Sequence, residues 1–124
     1  MIIRIDQYGN SSFVRCKGRL VHGIHVEAVR TAVCLQRNRC VVLDLSRVKV
    51  IDAAGLGLLV ELHAVARAAG WRFVILNAGH RLQRAMRATG LDRVLPLWDS
   101  HSFFGGQDQG EFAQFRCPNL DAVG

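Results

Sequence analysis

The chain has 124 residues, the length of one ordinary domain. Half of them are hydrophobic and 21% are charged, which supports a packed core and excludes a wholly disordered polymer. The formal charge is +6, carried far more by arginine than by lysine; charge of this sign admits nucleic acid or an acidic protein as a partner, with a solvated arginine-rich surface the plainer reading.

Ile2 to Asp6 and Phe13 to Lys17 are short β-like runs around the turn signal Gly9-Asn10. They are too close in sequence for a crossover, so antiparallel pairing is expected. A helix is expected from about Ile24 to Arg37, with Val26, Val29, Ala32, Val33 and Leu35 on its apolar side. Val41 to Leu45 is a continuous aliphatic run of the kind buried in a parallel sheet. Val48 to Ile51 then leads to Asp52. A long helix is expected from Ala53 to Ala69, stopped by Gly70, then a strand from Trp71 to Leu76. A third helix, His80 to Thr89, closes at Gly90, and Val94 to Trp98 is a short strand that Pro96 places at a sheet edge.

Strand and helix alternate from residue 40 onward. The expected fold class is therefore α/β, with an antiparallel N-terminal pair, then parallel βα units, in one mixed sheet flanked by helices. Residues 1–104 are expected to form one domain and 105–124 a C-terminal tail, with disorder of the tail an open reading. No apolar run approaches the ~18 residues needed to span a bilayer. Met1 to Asp6 lacks the pattern of a secretory signal, so a cytoplasmic location is expected.

Most of the reactive side chains carry no motif. Cys16, Cys34, Cys40 and Cys117 form no CxxC pair and are expected as unpaired thiols without metal. His22 and His25 have no nearby carboxylate or thiol to complete a metal site. No nucleophile turn or phosphate loop is present; Gly55-Leu56-Gly57 falls inside a helix and lacks the lysine. His80, Arg81, Arg84 and Arg87 make one side of the third helix basic. Without stacking aromatics, an acidic protein or plain solvation explains that side better than nucleic acid.

The informative stretch runs from Val41 to Val60. Asp52 is a good N-cap, since its carboxylate accepts from free first-turn N–H groups and suits the positive helix end; a partner contact can coexist with that role. On a helical wheel, Leu58, Leu59, Leu62, Val65, Ala66 and Ala69 share the expected core arc. Ala53, Gly57, Val60 and Ala64 form a stripe of small and apolar residues away from it. Another element of the same chain could cover such a stripe, or it could serve as a docking face.

Three runs in order resemble the STAS domain of bacterial anti-sigma factor antagonists. They are Val41 to Gly57, Gly70 to Asn77, and Met86 to Asp92, with Gly18-Arg19-Leu20 matching a further family segment after the second strand. The resemblance spans about residues 2 to 104. It implies a mixed sheet flanked by helices and a role in partner switching, in which an anti-sigma factor that is also a serine kinase binds the antagonist and phosphorylates the serine after the aspartate. This sequence departs there. The serine position is Ala53, its neighbour is Ala54, and Val21 stands where many members carry an acid. Neither alanine has a hydroxyl, so the phosphorylation site is degenerate.

The resulting expectation is an interaction module and not an enzyme, with no cofactor. Its partner would be an anti-sigma factor/serine kinase, in a pathway regulating transcription, with no nucleic acid, no membrane insertion and a homodimer left open. The partner-binding residues would be Asp52, Ala53, Ala54, Gly55, Leu56, Gly57 and Val60, with Asp44 and Ser46 at a strand end nearby. The alternative is a STAS module of a transporter or sensor complex, or a module that binds a nucleotide or lipid.

Overall fold

A computed structural model describes residues 1–95, 97 and 98. Its elements in chain order are β1 (Ile2–Tyr8), β2 (Ser11–Leu20), α1 (Ile24–Cys34), β3 (Cys40–Ile51), α2 (Ala53–Ala69), β4 (Arg72–Leu76), α3 (His80–Thr89) and β5 (Leu97–Trp98), with a 3-10 turn at Leu91–Arg93 before the last strand. The five strands form one sheet in the order β1-β2-β3-β4-β5. β1 and β2 pair antiparallel around the Gly9-Asn10 turn, and every later pair is parallel. The fold class is that expected: a mixed sheet with three long helices.

A helix of suitable length lies between each pair of parallel strands, and each crossover steps to the next position in the sheet. Val26, Val29 and Val33 of α1, Leu58, Leu59 and Leu62 of α2, and Leu82 and Met86 of α3 all enter one core with Val14, Val41, Leu43 and Ile75 of the sheet. The other sheet face carries a second buried cluster, Phe13, Cys40, Val42, Val74 and Leu76, with Tyr8 and Trp98 against it. Strand alternation explains the split, since Leu43 faces one layer and Val42 and Val74 the other. On the outside, Arg30 of α1 donates from Nε to Glu61 of α2 at 2.7 Å and from a terminal nitrogen at 2.9 Å. This two-point pair raises the Arg30 pKa and lowers that of Glu61.

Several boundaries depart from expectation for identifiable reasons. α1 ends at Cys34, not Arg37, because the Gln36 N–H turns back to the Val33 carbonyl and leaves Leu35 70% exposed. Val41–Leu45 and Val48–Ile51 are parts of one twelve-residue strand. Pairing with β2 carries it through the polar Ser46-Arg47 step, with register shifts at Arg15/Lys17 and Gly18/Arg19. The last strand starts at Leu97; Pro96 and residues 99–124, including the expected tail, lie outside the described residues.

The expectation of four unpaired thiols holds for Cys16 and Cys34. It fails at Cys40, which is disulfide-bonded; Cys117 lies outside the described residues. Burial, and then the nearby Asp44 carboxylate, pushes the Cys16 thiol up to about 12. No described helix is long and apolar enough to cross a membrane.

Candidate partner-docking site

β2 ends at Leu20 and β3 ends at Ile51, side by side and in register. The Asp52 N–H donates to the Leu20 carbonyl at 3.3 Å, so the chain is still tied to β2 as it turns into α2. Extended backbone at Asp52 (φ −108°, ψ −173°) points its carboxylate over the first turn. There Oδ1 accepts from the Gly55 N–H at 2.9 Å, and Oδ2 accepts from the His22 N–H at 3.0 Å. The cap therefore also fastens the β2–α1 loop to the start of α2. Backbone hydrogen bonds from His22 and then Gly55 hold the Asp52 pKa below its ordinary 3.8.

The helix beyond this cap has two unlike faces. Gly55, Leu58, Leu59, Leu62 and Ala66 are buried. Val65 and Ala69, expected in the core, are exposed, Val65 at the margin of the buried arc and Ala69 at the helix end. A methyl group at Gly55 would stand 2.5 Å from the Leu20 carbonyl oxygen and 2.6 Å from Ile51 Cγ1. Only glycine lets α2 approach the β2 and β3 ends this closely. The wheel places Gly55 in the middle of the buried arc, a signal available from sequence; the structure assigns it to packing within the chain and not to an exposed surface.

On the opposite face, Ala53, Gly57 and Ala64 are exposed and Val60 is partly buried. A methyl group at Gly57 would meet nothing within 4 Å among the described residues. No described element of the chain covers this stripe, although Val60, with Ala54 and Leu56, also packs in part against the core. The surface consequently consists of Ala53, Gly57, Ala64 and one side of Val60, at the end of the helix where Asp52 sits.

The structure does not bring Asp44 and Ser46 to this place. They lie eight and six residues before Asp52 in a continuous strand, and at ~3.3 Å per residue that puts Asp44 on the order of 25 Å away. Asp44 is buried, accepts from the Ser46 N–H at 2.9 Å, and faces Asn77 at 3.5 Å. Asn77, with φ 59°, occupies the left-handed region at the turn from β4 to α3, so Asp44 serves that corner. A strand ending at Leu45, as the sequence suggests, would fold Asp44 back toward Asp52; the longer strand keeps them apart. The second bond of Asp52, to the His22 backbone, is invisible to sequence reasoning, because a loop N–H leaves no mark in a sequence.

The fold has known counterparts. The family model described as the Mlab, STAS domain matches residues 3–97. The chain belongs to the STAS domain family. It is 31% identical over 62 residues to the Thermotoga neapolitana homolog of TM1081, which is named for anti-sigma factor antagonism; the match covers 50% of this chain and 55% of that protein. The chain thus spans about half the length of the curated relative it matches. Among solved structures, it superposes on TM1081 from Thermotoga maritima with a TM-score of 0.72 at 19% identity, over 81% of this chain and 88% of that one. An anti-sigma factor antagonist from Mycobacterium paratuberculosis gives 0.64 at 21% identity, over 98% and 89%. The phosphorylated form of the Bacillus protein SpoIIAA gives 0.63 at 20%, over 80% and 91%. At these identities the superpositions show the STAS fold. The Gly18-Arg19-Leu20 and Asp52-to-Gly57 segments meet in it, through Asp52, Leu20 and Gly55.

Proposed function

We propose that this STAS domain is a non-catalytic docking module that binds an anti-sigma factor through the exposed stripe of α2, and that its docking face carries no phosphorylation switch. One observation carries the reading: Ala53, Gly57 and Ala64 lie in the open, opposite the buried face of the same helix, beside a capped N-terminus. Gly57 costs a helix interior about 1 kcal/mol relative to alanine. No close approach within the described chain requires it, whereas an incoming partner backbone would. The names of the relatives support the partner class, and SpoIIAA, a structural neighbour, exists in a phosphorylated form.

In the family logic, a serine hydroxyl at position 53 would receive phosphate from a kinase partner. A phosphoserine adds roughly two negative charges at the docking face, next to the Asp52 carboxylate, and drives the partner off. Ala53 and Ala54 offer no acceptor, so binding is constitutive with respect to that kinase.

The test uses purified anti-sigma factors encoded by the source organism, mixed with the chain in the presence and absence of ATP and followed by calorimetry and peptide mass. The expected result is binding indifferent to ATP, with no phosphate on the Asp52 peptide. Ala53→Ser should make binding sensitive to ATP if the partner is a kinase. Dissociation of the unaltered chain by ATP would contradict the switchless reading. Failure of every anti-sigma factor to bind, with recovery of a transport or sensor component, would move the module to the alternative class.

A further inference from the structure

β3 outruns its neighbour. Its register with β4 covers only Cys40–Asp44, whereas its register with β2 continues to Ile51. From Leu45 to Ile51, one edge of β3 has no strand beside it among the described residues. Among the described residues, no backbone hydrogen bond from a loop or helix reaches that seven-residue edge. Such an edge presents unpaired N–H and C=O groups to any chain that can lie along it.

Next to the edge is a cavity of about 260 Å³ between β3 and the start of α3. Val48, Val50 and Ile51 line it from β3, and Leu82 from α3. Its remaining lining includes three cationic or titratable side chains, Lys49, His80 and Arg81. None of the three has a carboxylate within 4 Å among the described residues. α3 has no acidic residue in its first turn and no side-chain cap on Gly79, so its N-terminal partial positive charge is also uncompensated. Backbone pairing and charge are independent features, and both point to one kind of occupant.

We infer that this edge and cavity bind an extended acidic segment of a protein partner, added as a strand along Leu45–Ile51. The side chains of the segment that face α3, every second residue, supply both the aliphatic groups that enter the cavity and the carboxylates that meet His80 and Arg81. A second copy of this chain is the wrong occupant, because edge-to-edge pairing would set Arg47 and Lys49 against the same residues of that copy. A nucleotide or phospholipid headgroup could use the cations but would leave the strand edge unpaired. The inference rests on the proposed function only in taking the partner to be a protein. The site shares no residue with the Gly57 stripe, and its cationic groups lie on α3 and on Lys49 of β3, not on α2.

The experiment is fluorescence anisotropy of the full chain with a fluorescein-labelled octapeptide that carries valine, glutamate, isoleucine and glutamate at every second position, so that they share one strand face, with threonine between them. Saturable binding is expected. It should weaken at least tenfold for a peptide N-methylated at alternate residues, which loses strand donors, and at least tenfold for the Lys49→Glu, Arg81→Glu double variant. Both substituted side chains are exposed, and circular dichroism should confirm that the double variant remains folded. The Gly57→Arg variant should bind the peptide normally, so failure at the α2 stripe and failure here are distinguishable. Absence of saturable binding, or equal binding by the double variant, would overturn the inference. So would competition by ATP or phosphatidylglycerol vesicles combined with indifference to N-methylation, which would leave an anion site without strand addition.

Discussion

Two glycines of α2, two residues apart, do opposite things. Gly55 is buried so tightly that a methyl group would overlap the Leu20 carbonyl oxygen and Ile51, while a methyl group on Gly57 would meet nothing. A glycine inside a helix is therefore not one signal. At Gly55 it marks a close approach made within the chain, between α2 and the ends of β2 and β3. At Gly57 it weakens the helix with no contact among the described residues to justify it, and the surface around it is small and apolar. The first glycine builds the fold, and the second shapes what the fold presents.

The sharpest way to break this contrast is Gly55→Ala. The added methyl has a backbone oxygen as its nearest neighbour, which cannot swing aside as a side-chain end can. The expected loss is about 1–3 kcal/mol in urea unfolding. An unchanged midpoint would mean that α2 can shift off β2 freely, and the contrast would collapse.

Asp52→Ala should come next in size. It removes the acceptor for two backbone N–H groups, one of them from the β2–α1 loop. Asp52→Asn keeps a capping oxygen and isolates the charge. Because the folded-state pKa of Asp52 lies below its ordinary 3.8, the carboxylate stabilises the fold fully at pH values above that figure. The contribution fades as pH falls through the lower folded value. The stability gap between the unaltered chain and Asp52→Asn should hence be constant near neutrality and close in acid. A gap that widened in acid would contradict the sign.

Gly57→Ala should move the other way, raising stability by up to about 1 kcal/mol, since alanine is the better helix former and nothing crowds the site. A loss of stability there would show that the stripe is covered within the chain.

How legible these features are in the sequence depends on how local their causes are. α2 and α3 are readable with their ends, because Asp52, Gly70 and Gly90 supply their own capping chemistry; both of those glycines adopt the left-handed conformation. The β1–β2 hairpin and the parallel order follow from connection lengths. The course of β3 does not, because Ser46 and Arg47 look like a loop and are held in a strand only by β2, a neighbour far away in sequence. Reading a loop there displaces Asp44 and Ser46 toward the candidate site. It also hides the open edge beside α3. Gly55 belongs to the core and not to the docking surface expected of it, although its wheel position lies among the core leucines. Ala53 and Gly57, by contrast, stand exposed where their wheel positions put them.

The most direct measurement is titration of Gly57→Arg with the proposed partner, an anti-sigma factor found to bind the unaltered chain, with stability followed in parallel. Arginine at an exposed helical position should change stability by no more than about 0.5 kcal/mol, apart from the gain in helix propensity. Placed in a close apolar contact, it should weaken capture a hundredfold or more. A folded variant that still captures the partner at full affinity would show that docking lies elsewhere, and a variant that loses several kcal/mol would show that the stripe is core.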